Sequence, residues 1–337
     1  MKRFSLFSLL LTATLTAQAQ QSPYLQAVDE YVPAPGQFVN KYPAATEADT
    51  PETMAQKCTE QLAANAQGLV SLGAWGGYIT FHFDHPVINV EGQADFAVWG
   101  NAFENNAEPA TVWVSVDANH NQLPDDAWYE LRGSEYDHPL TVHRYQLTYY
   151  FGGSKQDVTW TDNQGHEGSV VRNKYNKQEY FPLWLTDQKE LTLSGTRLPD
   201  NAILQVGDDG SQLYLLPAFS YGYADNQPNT NREGCAMNLE WAVDSLGRPV
   251  ALTHADFIRC QNGMNQMCGA IGETSTEITG AEDLHPNASA GIASLKSTNA
   301  VTPAVVCNLR GLRTRQLSKG LNIVRTPDGN TRKIIIQ

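Results

Sequence analysis

From Leu69 onward the chain alternates apolar and polar positions in short runs, separated by clusters of Gly, Asn, Asp and Pro. Alternate side chains of a strand point to opposite faces, so this period-two pattern predicts strands over residues 78–83, 95–99, 112–116, 128–132 and 143–151. Weaker runs predict further strands over 180–185, 190–193, 213–216, 239–243 and 256–260. One segment has a different period. Thr50 as N-cap, Pro51 in the first turn and Glu52 as an early acid precede Met54, Cys58 and Leu62, which recur at i, i+4 and i+8. This predicts one amphipathic helix ending before Gly68, its stripe covering the end of a sheet. Residues 31–40 read as an irregular, Pro-rich approach to it. With no helical periods between the later strands, the pattern favours an all-β, antiparallel β-sandwich of jelly-roll type over a parallel α/β sheet.

The two ends of the chain read differently. Met1-Lys-Arg-Phe, a short apolar run and Ala17-Gln-Ala19 have the order of a secretory signal peptide, expected to span residues 1–19. The sandwich is then expected over 20–284. Residues 285–302, rich in small and polar residues, read as a linker. Residues 303–337 read as a small C-terminal β unit, with strands over 304–309, 320–324 and 332–336 and the hairpin dipeptide Asp328-Gly329. No later stretch approaches the ~18 consecutive apolar residues of a membrane span. The expected location is therefore secreted or cell-surface.

Charge narrows the partners. Loss of Lys2 and Arg3 with the leader takes the formal net charge from −13 to −15, which argues against nucleic acid as a partner. Of the five cysteines, Cys58, Cys235, Cys260, Cys268 and Cys307, an odd number cannot all pair. An exported chain permits one bridge among Cys235, Cys260 and Cys268.

The sharpest chemical signal is the run Asp117-Ala-Asn-His-Asn-Gln-Leu-Pro-Asp-Asp126. Asp117, Asn119, Asn121 and Asp125 have the 1, 3, 5, 9 spacing by which a short loop surrounds a hard cation. The Leu123 carbonyl stands at position 7, and Asp126 or Glu130 completes the shell. The flanks alternate as strands, so this is a calcium-type loop in a β-hairpin. Gln122 occupies the position where such loops favour Gly, and two ligands are neutral Asn, so affinity is expected near 10⁻⁴ to 10⁻³ M. An Asx-rich turn without metal is the plainer alternative.

Other candidate chemistry is weaker. His82 and His85, three apart in a strand, point to opposite faces and do not make a zinc pair. Glu130, Glu135, Asp137, Glu240 and Asp244 supply carboxylates for a glycan-active enzyme, if two of them meet. No Gly-x-Ser-x-Gly elbow or His-Glu-x-x-His helix is present. Trp75, Trp99, Trp128, Tyr221 and Tyr223, with polar groups such as Asn226, offer flat apolar faces beside hydrogen-bonding groups, as sugar recognition requires.

Several strings resemble a family of secreted or surface proteins of gut Bacteroidetes. They are residues 34–40, 71–77, 83–87 and 99–103, Glu108-Pro109, the loop 117–126, residues 128–134 and 241–244, and Gly272-Glu-Thr-Ser-Thr-Glu-Ile278. Some members accompany outer-membrane uptake systems, including cobalamin uptake, so the resemblance implies capture of a glycan or a corrinoid-type ligand. Asn308-Leu-Arg-Gly311 and residues 317–324 are similar to the short sorting tail of type IX secretion, implying recognition by export machinery. Together the residues lead us to expect a calcium-stabilised binding protein rather than an enzyme, with a glycan-active enzyme and a non-catalytic adhesin as alternatives.

Overall fold

The computed structural model describes residues 21–288 in full and the backbone of four C-terminal strands. The expected leader and most of the linker lie outside the described residues. The fold is all-β, with antiparallel sheets and one α-helix.

The largest sheet has seven strands. Ala27–Val32, Tyr78–His82, Phe257–Asn262, Ala110–Ser115, Trp128–Leu131 and Ala242–Val243 lie side by side in that order, and Tyr223–Ala224 adds to Ala110–Ser115. Phe257–Asn262, late in the chain, inserts between two early strands and ties the ends of the domain together. Alternation divides this sheet cleanly. Ile79, Phe81, Val112, Val114, Ile258 and Cys260 enter the main core, where they meet Phe96, Val98, Met237 and Ala281 of a three-stranded sheet. Tyr78, Trp113, Trp128, Glu130 and Arg259 are carried on the other face. That face meets a second core, built on the four-stranded sheet of Val142–Tyr150, Val158–Asp162, Glu167–Val170 and Glu190–Arg197, with Trp75 and Tyr180.

The helix Pro51–Leu62 forms where its pattern predicts. The Thr50 side chain accepts the Thr53 N–H, and the Thr53 hydroxyl accepts the Thr50 N–H, which satisfies two otherwise orphaned donors. Met54, Cys58 and Leu62 are all buried in the main core.

Two predicted strands are not strands throughout. Residues 180–185 instead enter a 3₁₀ turn, Leu183–Gln188, after Pro182, whose missing N–H cannot serve a ladder; Tyr180 and Phe181 both bury in the second core. Residues 239–243 begin as the 3₁₀ turn Leu239–Trp241 because the Asn238 side chain accepts the Glu240 N–H, and only Ala242–Val243 pairs. Ala27–Val32, which no predicted strand covers and whose last two residues fall in the expected irregular approach, is an edge strand. Its charged Asp29-Glu30 and a register shift between Val28 and Glu30 mask the alternation. Cys58, Cys235, Cys260 and Cys268 are buried free thiols, so no bridge joins the three later ones. The C-terminal unit has four described strands, in the order Arg313–Thr314, Val305–Cys307, Gly320–Arg325, Thr331–Ile336; the expected turn at Asp328-Gly329 lies outside the described residues.

Candidate functional site

A cleft of about 900 Å³ opens between the polar face of the seven-stranded sheet and the four-stranded sheet. Trp113 and Trp128 with Glu130 come from the first; His143, Arg144, Gln146, Ser194 and Thr196 come from the second; Tyr136, Asp137 and residues 244–247 form the rim. Trp113 pairs directly with Glu130, and Ser115 with Trp128, so ladder register fixes the floor. On the opposite wall the pairing of Glu190–Arg197 with Val142–Tyr150 shifts register between Gly195 and Arg197, and Arg144 takes a left-handed φ of 55°. Bulges of this kind re-aim side chains, and here the altered segment carries both His143 and Thr196 into the cleft.

Glu130 is the chemical centre of the cleft. It is buried, and the Thr196 hydroxyl donates to its Oε2 at 2.7 Å. His143 Nδ1 lies 3.4 Å from that hydroxyl oxygen and 4.0 Å from Glu130 Oε2, while His143 Nε2–H donates to the Tyr136 carbonyl at 3.0 Å. Burial pushes the Glu130 carboxyl up to about 8, partly offset by the Thr196 hydrogen bond. At neutral pH Glu130 is therefore largely protonated. Its O–H can then donate to Thr196, leaving the Thr196 proton for His143.

The aspartates of the cleft are already matched, whereas the Arg144 guanidinium rests on a neutral carbonyl. Arg132 pairs with Asp137. Asp244 accepts the backbone N–H groups of Leu246 and Arg248 and pairs with the Arg248 guanidinium at 2.6 Å; the Arg248 side chain, chiefly, holds its carboxyl at about 2. Arg144 donates to the Ser245 carbonyl at 2.8 Å. Trp128 is fixed from behind: Arg259 lies 4.1 Å from its ring centroid and 4.3 Å from that of Tyr78, and pairs with Glu30 at 2.7 Å.

Of the six residues predicted to bind ligand, the cleft holds only Trp128. Trp75, Tyr223 and Asn226 are buried, at 0%, 2% and 1% exposure, and serve the fold. Trp75 stands edge-on to Tyr145 at 4.6 Å, the Tyr223 hydroxyl accepts the Glu135 N–H, and Asn226 binds both backbone groups of Phe219. Tyr221 is exposed and packs on Trp241 at 5.1 Å. Trp99 lies on the three-stranded sheet, away from the cleft. Of the five predicted carboxylates, Glu130, Asp137 and Asp244 meet in the cleft, while Glu135 and Glu240 do not.

The loop 117–126 joins the paired strands Ala110–Ser115 and Trp128–Leu131, as its flanks predict. The Asp117 carboxylate accepts the N–H groups of Asn121 and Gln122, at 3.0 and 2.9 Å. Gln122, at the Gly position, adopts φ +62°, the conformation that favours Gly there. Asn119 and Asn121 donate to the two oxygens of Asp125, and Asp126 turns back to accept the Ala118 N–H. The all-oxygen donor set suits calcium, but the three aspartates do not converge as a triad. Among the described residues one acidic triad does.

That triad is Glu108, Asp225 and Glu277, buried, with ligand atoms within 4.8 Å of one another. Asp225 accepts three backbone N–H groups, from Asn101, Ala102 and Glu277. Glu277 accepts the Ser275 hydroxyl and the Asn101 amide, and Glu108 accepts the Ser275 N–H. Gly100 allows the approach, because a Cβ there would fall 2.2 Å from Asp225 Oδ1. No side-chain cation pairs with any of the three among the described residues. Burial above all, with mutual repulsion, raises Glu108 well above the usual range and Glu277 to about 8, and burial alone raises Asp225 to about 7. The group either shares protons or holds a hard cation, and a cavity of about 270 Å³ reaches Glu108 and Glu277. Sequence reasoning missed it as a site because its members come from three separate stretches of the chain that no spacing pattern links.

His82 and His85 do not converge: His82 contacts Asp29, and buried His85 bridges Asp84 and Asp283. No family model and no curated protein matches the chain.

Proposed function

We propose that the protein is an exported binding protein that captures a neutral glycan in the cleft beside the hairpin. The observation carrying this reading is the state of the cleft's charges. The aspartates are paired with arginines, and the buried acid, Glu130, is neutral near pH 7 and can both donate and accept a hydrogen bond. Trp113, Trp128 and Tyr136 line the same cleft. Flat rings beside a neutral acid and pre-paired carboxylates favour a polyhydroxyl ligand over a cation, with the Arg144 guanidinium on the Ser245 carbonyl as a further hydrogen-bond donor.

Calcium is the second part of the reading. Bound at Asp117, Asn119, Asn121, Leu123 and Asp125, it would brace the hairpin that holds Trp128 and supply no chemistry. The leader-like start and sorting-like tail fit delivery to the cell surface.

One observation favours a second reading, glycan hydrolysis: a protonated carboxyl in an open cleft is what a general acid requires. Against it, Asp137 and Asp244 are tied to arginines, which leaves no free carboxylate as nucleophile or base.

The deciding experiment is a glycan array followed by calorimetry on wild type and Trp128→Ala, with cyanocobalamin as the corrinoid probe and reducing-sugar release as the turnover assay. Binding of a neutral glycan that Trp128→Ala loses is the expected result. Binding of cyanocobalamin alone, or no binding by wild type, overturns the proposal, and sugar release abolished by Glu130→Gln establishes the hydrolase.

A further inference from the structure

The three-stranded sheet carries a second groove, of about 460 Å³, on the side of the molecule opposite the cleft. Phe96 and Val98 enter the main core against one face of the seven-stranded sheet, whereas the cleft lies on that sheet's other face. Alternation turns Trp99 outward, and the pairings Gly280 with Trp99 and Glu282 with Ala97 place Glu282 on the same outer face. Trp99 is half-buried and lines the groove. The Arg232 guanidinium lies 4.9 Å from its ring centroid and pairs with Glu282 at 2.8 Å. The far wall is the turn after the helix, where Ala64, Asn65 and Gln67 all have φ between 51° and 61° and the amides of Asn65 and Gln67 are exposed in the groove. Left-handed backbone at three non-glycine residues in four is strained, and such strain collects where side chains are presented for a purpose.

We infer that this groove is a second binding subsite for a neutral sugar ring, stacked on Trp99 and hydrogen-bonded by the amides of Asn65 and Gln67. The ion pair of Arg232 and Glu282 leaves the groove without an unmatched charge, so a neutral polyol fits better than an anion or a cation. The inference shares its ligand class with the cleft reading and rests on it in that respect. Two sugar subsites on opposite faces cannot be filled by one short oligosaccharide, so the protein would bridge two chains or two segments of a long one. Avidity then exceeds the affinity of either subsite.

The test uses the full chain with indole ¹⁵N-labelled tryptophan and a panel of neutral hexaoses: cello-, xylo-, malto-, laminari- and mannohexaose. In Trp128→Ala the Trp99 indole resonance is expected to shift with added sugar. In Trp99→Ala the Trp128 resonance still shifts, and retention on the matching immobilised polysaccharide falls about tenfold or more in each single variant. Arg232→Ala, at an exposed position, keeps the fold and weakens only the Trp99 response. The inference is overturned if sugar moves Trp128 alone, if the Trp99 resonance no longer responds in Trp128→Ala, or if no hexaose moves either resonance of the wild type. A shift at Trp99 with none at Trp128 leaves this subsite standing and removes the cleft reading instead.

Discussion

The Thr196 hydroxyl donates to Glu130 Oε2 at 2.7 Å from the opposite sheet, so this hydrogen bond ties the buried acid of one wall of the cleft to the other wall. The bond favours the ionised carboxylate, while burial favours the acid and wins. Replacing Thr196 with the near-isosteric Val removes the donor. The Glu130 titration, near 8 in wild type, is then expected to move to higher pH, read from its ¹³C carboxyl shift or its infrared carbonyl band. Glu130→Gln should abolish that titration, and an unchanged midpoint in Thr196→Val would mean that the hydroxyl does not face the carboxylate in solution.

Stability should depend on pH through the buried acids. Glu130, Glu277 and Asp225 have folded values of about 8, 8 and 7, all raised above those of the unfolded chain near 4. Between those limits the folded state holds more protons than the unfolded one, so stability is full below about pH 4 for these groups and falls as pH rises towards 8. Each group contributes a slope of about 1.4 kcal/mol per pH unit at most. Chelator-treated protein is expected to melt at lower temperature at pH 8 than at pH 5.5. Glu108→Gln, which keeps an oxygen for the Ser275 N–H and removes one charge from the triad, should narrow that gap. Repeating the scan at pH 8 with millimolar calcium reads whether a cation replaces the protons: wild type would gain stability and Glu108→Gln would gain less.

Much of this architecture was legible in the chain. The strands flanking the calcium-type loop announce themselves by strict alternation, and the helix by its cap and stripe at Met54, Cys58 and Leu62. Ala27–Val32 and the hairpin of Val158–Asp162 with Glu167–Val170 did not, because these strands bury only one residue or two each and leave polar positions that read as loop. At the site, Glu130 and Trp128 could be named but not joined to Thr196 and His143, whose arrival depends on a register shift in another sheet. Trp75 and Tyr223 illustrate the converse. An aromatic residue in a Gly-rich string looks available for a ligand, and only the packing shows that the string closes over it.

Arg259 offers a test of how Trp128 is held. Its guanidinium lies between the Tyr78 and Trp128 rings and is anchored by Glu30 and the Thr80 hydroxyl. Arg259→Lys preserves the charge but loses the planar stacking surface. If Trp128 is the platform of the cleft, glycan affinity should fall about fivefold, corresponding to roughly 1 kcal/mol of cation–π interaction, with a blue or red shift in Trp128 emission and little change in fold. Equal affinity in the two proteins would show that the stack supports the sheet and not the ligand.

The loop 117–126 is where the proposed calcium ion can be tested. The Asp117 carboxylate accepts two backbone N–H groups within the loop, so Asp117→Ala is expected to cost some stability even in chelator. The loss should be larger in calcium, where a bound ion is lost as well. At a dissociation constant near 1 mM, 10 mM calcium stabilises wild type by about 1.4 kcal/mol, a rise of roughly 2–4 °C in Tm for a domain of this size. Asp117→Ala should show no such rise. Gln122→Gly relieves the left-handed backbone at the sixth loop position, so it should keep the calcium-dependent rise or increase it. A wild-type Tm that is the same in calcium and in chelator would eliminate the hairpin as a calcium site, and any calcium response that survives in Asp117→Ala but disappears in Glu108→Gln would move the ion to the buried triad.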